Sequence, residues 1–230
     1  MNIEERDNYY VLEEADREED QSPLNYAAYD HEEDEKEEKV EEPTLESKKS
    51  SFGLLLKIMF NPVEGWKTLR RSGITVEGLQ GGCFYPLLAL LAVSNFAEFF
   101  YKVNVNLSEV VSDAIVSFVA FFFGYFCMQM VLSWVLPKDM AQKFEGDFGK
   151  KYSIISLSTL ALFSIIINLL PMLWPILIFL PIWTLYIMFK ATRFFHFEPN
   201  QEMKFFVLSG SIAIGLPILI EWGISSLLPY

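Results

Sequence analysis

Glu98, Lys102, Asn168 and Glu221 carry the costliest polar side chains in this sequence, because each stands inside or at the edge of a long apolar run. An ionisable group in hydrocarbon marks an ion or proton path, a headgroup site, or a contact between subunits. The spacing of Glu98 and Lys102 brings a carboxylate and an ammonium together one helical turn apart. When the apolar runs are threaded through a bilayer, Glu98, Asn168 and Glu221 fall at a similar depth in its outer half. A small polar site lined by the first, third and fifth runs is therefore one reading. It would bind a headgroup, pass a cation or proton, or couple two subunits. The simpler reading is that these side chains snorkel to the interface, with Glu98 and Lys102 paired locally.

No other constellation points to a reaction. The two histidines, His31 and His196, fall in the acidic N-terminal region and in a connection. No HExxH, GxSxG, phosphate-loop or EF-hand spacing occurs. Ser156, Ser158 and Thr159 stand on one apolar run without a base, where their hydroxyls bond back to their own helix. Cys83 and Cys127 are 44 positions apart without a histidine near either, which fits packing residues rather than a disulfide or metal pair. No catalytic, cofactor-binding or metal site is expected, and the chain reads as a non-enzyme. An intramembrane enzyme is the weakest of three functional readings.

The elements that hold these residues are apolar and long. Mean hydropathy is +0.25 and 52% of residues are hydrophobic, above a soluble domain's usual share. Five spans are predicted, at about 83–101, 114–136, 152–170, 172–189 and 205–228, each near the length of a helical crossing. Pro171, Pro175 and Pro181 divide the third from the fourth and predict a tight re-turn with a kinked fourth span. Three spans with one re-entrant hairpin is the alternative threading.

Charge sets the direction of that threading. Thirteen lysines and arginines from Lys48 onward fall on alternate connections, and the opposite connections and C-terminus hold only Lys102. Positive residues stay on the cytoplasmic side, so the N-terminus is expected inside and the C-terminus outside.

Residues 1–50 hold 19 of the 30 acidic residues and six of the 18 basic ones, so the net charge of −12 belongs to this segment. It reads as a disordered cytoplasmic tail that cannot bury enough apolar surface to order itself. Its aromatic islands, around Tyr9-Tyr10-Val11-Leu12, Tyr26 and Tyr29, are candidate binding motifs within a mainly solvated tail. No cleavable leader is expected, because the first apolar span starts near residue 83. Nucleic acid is an unsuited partner, since no basic face exists to replace phosphate counterions.

Between tail and spans lies a segment of mixed character, 52–72. An apolar run to Phe60 is too short to cross. Asn61-Pro62-Val63-Glu64 then predicts a helix start, with Asn61 as cap and Pro62 at the first position. The next turns carry Trp66, Lys67, Arg70 and Arg71, and Gly73 is a plausible stop. Aromatic and basic residues together predict a membrane-surface helix anchored by these four side chains. Gly78 and Gly82 are expected in a flexible turn. Ser209, Gly210, Ser211, Ala213 and Gly215 form a small-residue patch for internal helix packing or an oligomer face.

With these residues in view, the chain resembles the Yip1 domain family over about residues 52–228. The likeness rests on Phe60-Asn61-Pro62-Val63-Glu64-Gly65-Trp66, similar to the F-x-P-x-x-x-W opening of prokaryotic members, followed by five spans with an inside N-terminus. Eukaryotic relatives are implicated in vesicle transport and in binding Rab-type small GTPases. Their Asp-Leu-Tyr-Gly-Pro segment is absent here. The resemblance implies a non-enzymatic integral membrane protein that acts through partners or lipids.

The combined expectation is an all-α integral membrane protein. An acidic tail (1–50) precedes a membrane domain (51–230) made of the surface helix and five spans. Its leading function is a scaffold or adaptor in the bacterial inner membrane, contacting the bilayer and a protein partner and open to homo-oligomerisation. The alternative is a small transporter or channel-like component using Glu98, Asn168 and Glu221.

Overall fold

Every regular element in the computed structural model is helical, over the described residues 51–173, 175 and 179–227. The tail expected at 1–50 lies outside them. The described residues open with two short helices, α1 (Ser51–Phe60) and α2 (Pro62–Arg71). Four long apolar segments follow the same rules as the predicted spans: α3 (Val76–Phe100), α4 (Leu107–Val135), α6 (Asp147–Leu169) and α8 (Pro199–Ser225). Between them stand α5 (Lys138–Glu145) and α7 (Leu180–Thr192).

Among the described residues, four helices are thus long and apolar enough to cross a membrane. The fourth predicted span, 172–189, does not form one long helix among the described residues. Its regular part is α7, whose 13 residues rise only about 20 Å. Proline explains the shortfall. Pro181 fits the first turn of α7, where a missing N–H costs nothing, but Pro171 and Pro175 deny a longer helix its hydrogen bonds.

The helix ends follow capping chemistry more than hydropathy. Asn106 accepts from the Ser108 N–H (3.2 Å), so α4 begins seven residues before its apolar span was expected. A capping box between Glu198 and Gln201 starts α8 six residues early. Helix α3 begins at Val76 and contains a π turn over Gln80–Phe84. Pro86 has no N–H to offer the Gly82 carbonyl, which accounts for a widened turn at that place. Gly78 and Gly82 are consequently helical rather than a flexible turn, and Ser51 Oγ donates to the Gly78 carbonyl at 3.0 Å.

Helix α6 is the axis of the bundle. Its residues Tyr152 to Ala161 are buried without interruption, which only a helix surrounded on all sides achieves. Small polar residues make that possible. Ser153, Ser156 and Thr159 donate to the carbonyls four residues back at 3.1, 2.8 and 2.8 Å. The hydroxyls are thereby satisfied within the helix and leave a slim surface for neighbours. Helices α3, α4 and α7 pack on α6, while α8 lies mainly along α4, with Pro217 seated against Gly124. Both cysteines are free.

Candidate functional site

Two regions gather the polar and aromatic residues that the sequence singles out. The first is the opening hairpin. Asn61 Oδ1 accepts from the Glu64 N–H at 3.3 Å, and Pro62 occupies the first helical turn, so the chain reverses between α1 and α2. Gly65 lets the two helices close. A Cβ there would sit 2.4 Å from the Ile58 Cα, a backbone contact that cannot give way cheaply. Lys57 Nζ donates to Thr68 Oγ1 (2.8 Å), and Thr68 Oγ1 donates to the Glu64 carbonyl (2.7 Å), tying the outer side of the hairpin.

Trp66 departs from expectation. A headgroup anchor must reach the interface, yet Trp66 is 0% exposed. Its ring lies against Phe148 and Tyr152, with centroids 5.9 and 6.0 Å away, and its indole N–H donates to the Ile187 carbonyl of α7 at 3.0 Å. The physical reason is that the apolar stripe of α2 (Pro62, Gly65, Trp66, Leu69) faces the bundle, and a buried indole requires an acceptor there. A second tryptophan answers from the other side. Trp183 of α7 donates its indole N–H to the Met59 carbonyl at 3.0 Å. Met59 belongs to the last turn of α1, whose carbonyls have no helical partner, so this bond caps the helix. The hairpin and α7 are clasped by two reciprocal indole bonds.

Behind the clasp an aromatic box fills the same end of the bundle. Phe144, Phe148, Tyr152, Phe195 and Phe205 meet at centroid distances from 4.8 to 6.4 Å. The chain enters this box through a bend at Gly146, and Gly149 in the first turn of α6 lets the two helices close, since a Cβ there would strike the Phe144 carbonyl. Lys143 Nζ donates to the His196 carbonyl (2.7 Å) and lies over the Phe197 ring.

What remains outside is a mixed apolar and basic surface. Phe60 (83% exposed) and Val63 stand out at the hairpin tip. Arg70 and Arg71 are exposed and Lys67 is half-buried at the end of α2; Asn61 and Glu64 are exposed and Pro62 is buried.

The second region is a polar knot where α3 meets the far end of α6. Asn168 Nδ2 donates to Ser94 Oγ (2.9 Å) and to Asn95 Oδ1 (3.5 Å). Ser94 Oγ and Asn95 Nδ2 in turn donate to the Leu91 carbonyl at 2.7 and 3.0 Å. The Tyr101 hydroxyl donates to the Asn168 carbonyl at 3.1 Å. One turn along, Glu98 and Lys102 form an ion pair at 2.6 Å. The hydrogen bond to Glu98 raises the Lys102 ammonium above its ordinary range, against the smaller opposing pull of partial burial.

Glu221 makes no hydrogen bond or salt bridge to this knot among the described residues. It is exposed on α8, which packs along α4, and the carboxylate it senses is Asp113 of α4. Of the three residues expected to converge, Asn168 joins the Glu98 segment, and Asp113, the carboxylate that Glu221 senses, also acts on Lys102. Sequence reasoning missed Ser94, Asn95 and Tyr101, whose roles depend on which helix faces Asn168. It also missed Trp183, although a tryptophan in an apolar run always raises the question of where its N–H goes.

The small-residue patch of α8 divides. Tyr152 and Ser209 hydroxyls hydrogen-bond at 2.8 Å, Gly210 lies under Leu185 and Ala213 is buried, while Ser211 is exposed.

Among the described residues no cluster of three or more histidine, cysteine or acidic residues is arranged to hold a metal ion. The model of one family, the Yip1 domain, matches residues 56–221. No curated protein and no solved structure matches the chain.

Proposed function

The chain belongs to the Yip1 domain family and is a multi-pass membrane protein, and from that premise we propose that it is a non-enzymatic scaffold that holds a tail-bound partner at the membrane surface. The observation that carries this reading is the clasp. The Gly65–Ile58 approach closes the opening hairpin and two indole bonds join it to α7, so the segment that follows the tail is a fixed platform and not a loose tether. Outside that platform, Phe60 and Val63 suit the headgroup boundary, and Lys67, Arg70 and Arg71 suit anionic lipid. These three cations take the anchoring role that Trp66, enclosed in protein, does not fill.

The finer topology belongs to the same proposal. We take the 172–192 segment as a fifth crossing, with the acidic tail (1–50) and the clasp at the cytoplasmic side and the C-terminus outside. The distribution of lysine and arginine supports it. A bacterial inner membrane fits the Phe60-to-Trp66 motif, and a homo-oligomer is compatible with the exposed faces of the long helices.

A transport reading gains less support. The amides and hydroxyls of the knot are spent on one another.

The test is in-membrane crosslinking, purification and mass spectrometry on the full chain and on a form lacking residues 1–50. A protein partner captured by the full chain and lost with the tail is the expected result. Identical captures from both forms would overturn the adaptor reading. Flux across vesicles that disappears on Glu221→Gln, at normal abundance, would turn it toward transport.

A further inference from the structure

A groove of about 550 Å³ opens on the side of the bundle between the end of α4, the start of α5 and the first turns of α8. Its size falls within the range of small-ligand sites. Val135, Leu136, Pro137 and Met140 form one wall. The other wall is one face of α8, where Lys204, Val207, Leu208 and Ser211 recur at the i, i+3, i+4, i+7 spacing. The polarity of this wall changes along its length. Lys204 stands at the end where α4 gives way to the charged helix α5, next to the boundary of the apolar layer. From there the groove descends about 10 Å beside Val207 and Leu208 to Ser211.

Val135 and Val207 are more than half exposed, so the slot opens toward the lipid side and not into the bundle. Among the described residues Lys204 forms no salt bridge. A cation at the interface above an apolar slot of this depth matches an amphiphile with an anionic head and an aliphatic chain. We infer that this groove binds one phospholipid of the leaflet on the Lys204 side, with its phosphate on Lys204 and one acyl chain along Val207 and Leu208 toward Ser211. An anionic headgroup is favoured, because it brings no ammonium of its own toward Lys204 and toward Lys138, which follows Pro137 in the chain. The inference is independent of the tail and its partner.

The probe is a phospholipid with a photoreactive group on its acyl chain, bearing either a glycerol or a choline headgroup. It is doped into phosphatidylcholine vesicles holding the full chain, and adducts are mapped by mass spectrometry. Adducts should concentrate on residues 135–140 and 203–211, with about fivefold more from the anionic probe. Lys204→Gln should remove that preference, and Val207→Trp should remove adducts from the groove while leaving those near Leu219 and Trp222, which are exposed further along α8. Adducts spread evenly along α8, or an anionic preference that survives Lys204→Gln, would overturn the site. Should Val207→Trp fail to fold, Lys204→Gln decides, since it removes charge without adding volume.

Discussion

The clasped end of the bundle and the polar knot at its far end use opposite means to join helices. At the clasp, Trp66 is enclosed while Trp183 is 42% exposed, and each indole N–H finds a backbone carbonyl that side-chain substitution cannot take away. In the knot, short amides and hydroxyls bond to one another, and an exposed ion pair stands beside them. The difference is one of chemistry, an enclosed indole against buried Ser94 and Asn95. Enclosed aromatic area contributes through its contacts whatever the solvent, whereas hydrogen bonds within a membrane protein are worth little on average, because the unfolded chain also finds partners.

If that comparison holds, Trp66→Ala should cause the largest loss, about 3–5 kcal/mol, read as thermal unfolding of the full chain in detergent. Gly65→Val comes next at about 1–3 kcal/mol, since its side chain must displace the Ile58 backbone. Trp183→Phe keeps most of the ring but leaves the Met59 carbonyl uncapped, and should cost about 1 kcal/mol in the same assay. On the other side, Asn168→Ala should cost about 0.6 kcal/mol. A loss from Asn168→Ala that matched Trp66→Ala would break the comparison and make the knot structural in its own right.

The smallest effect should come from the ion pair. Lys102 is raised in the folded state, so its contribution is present below its unfolded pKa of about 10.4 and fades as pH rises through the higher folded value. With Lys102 more than half exposed, Lys102→Gln should change stability by less than about 0.5 kcal/mol, and a scan from about pH 9 to about pH 12 should show no step assignable to it.

The opening motif illustrates what was readable in the residues and what was not. Asn61 as cap and Pro62 at the first turn follow from local backbone chemistry, and both are found. The place of Trp66 does not. A tryptophan beside Lys67, Arg70 and Arg71 suits a headgroup boundary as well as a core, and only the approach of α7, offering the Ile187 carbonyl, decides between them. Ser156 and Thr159 of α6 were legible for the same local reason as the cap, since a hydroxyl can bond to its own helix without help, whereas Ser158, expected to do the same, makes no such bond. Trp183 and the partners of Asn168 were hidden, because each bond spans dozens of residues.

The sequence by itself determined the all-helical membrane class, the long apolar helices and the opening turn, because hydropathy, proline and capping act within one or two turns of chain. The tertiary structure decided the rest: that Trp66 is enclosed, that Asn168 meets Ser94 and Asn95, and that α4, α5 and α8 leave a groove beside Lys204. Those outcomes depend on which faces of distant helices meet. Helices in a membrane choose their neighbours by the fit of side chains over their whole length, which no short stretch of sequence encodes.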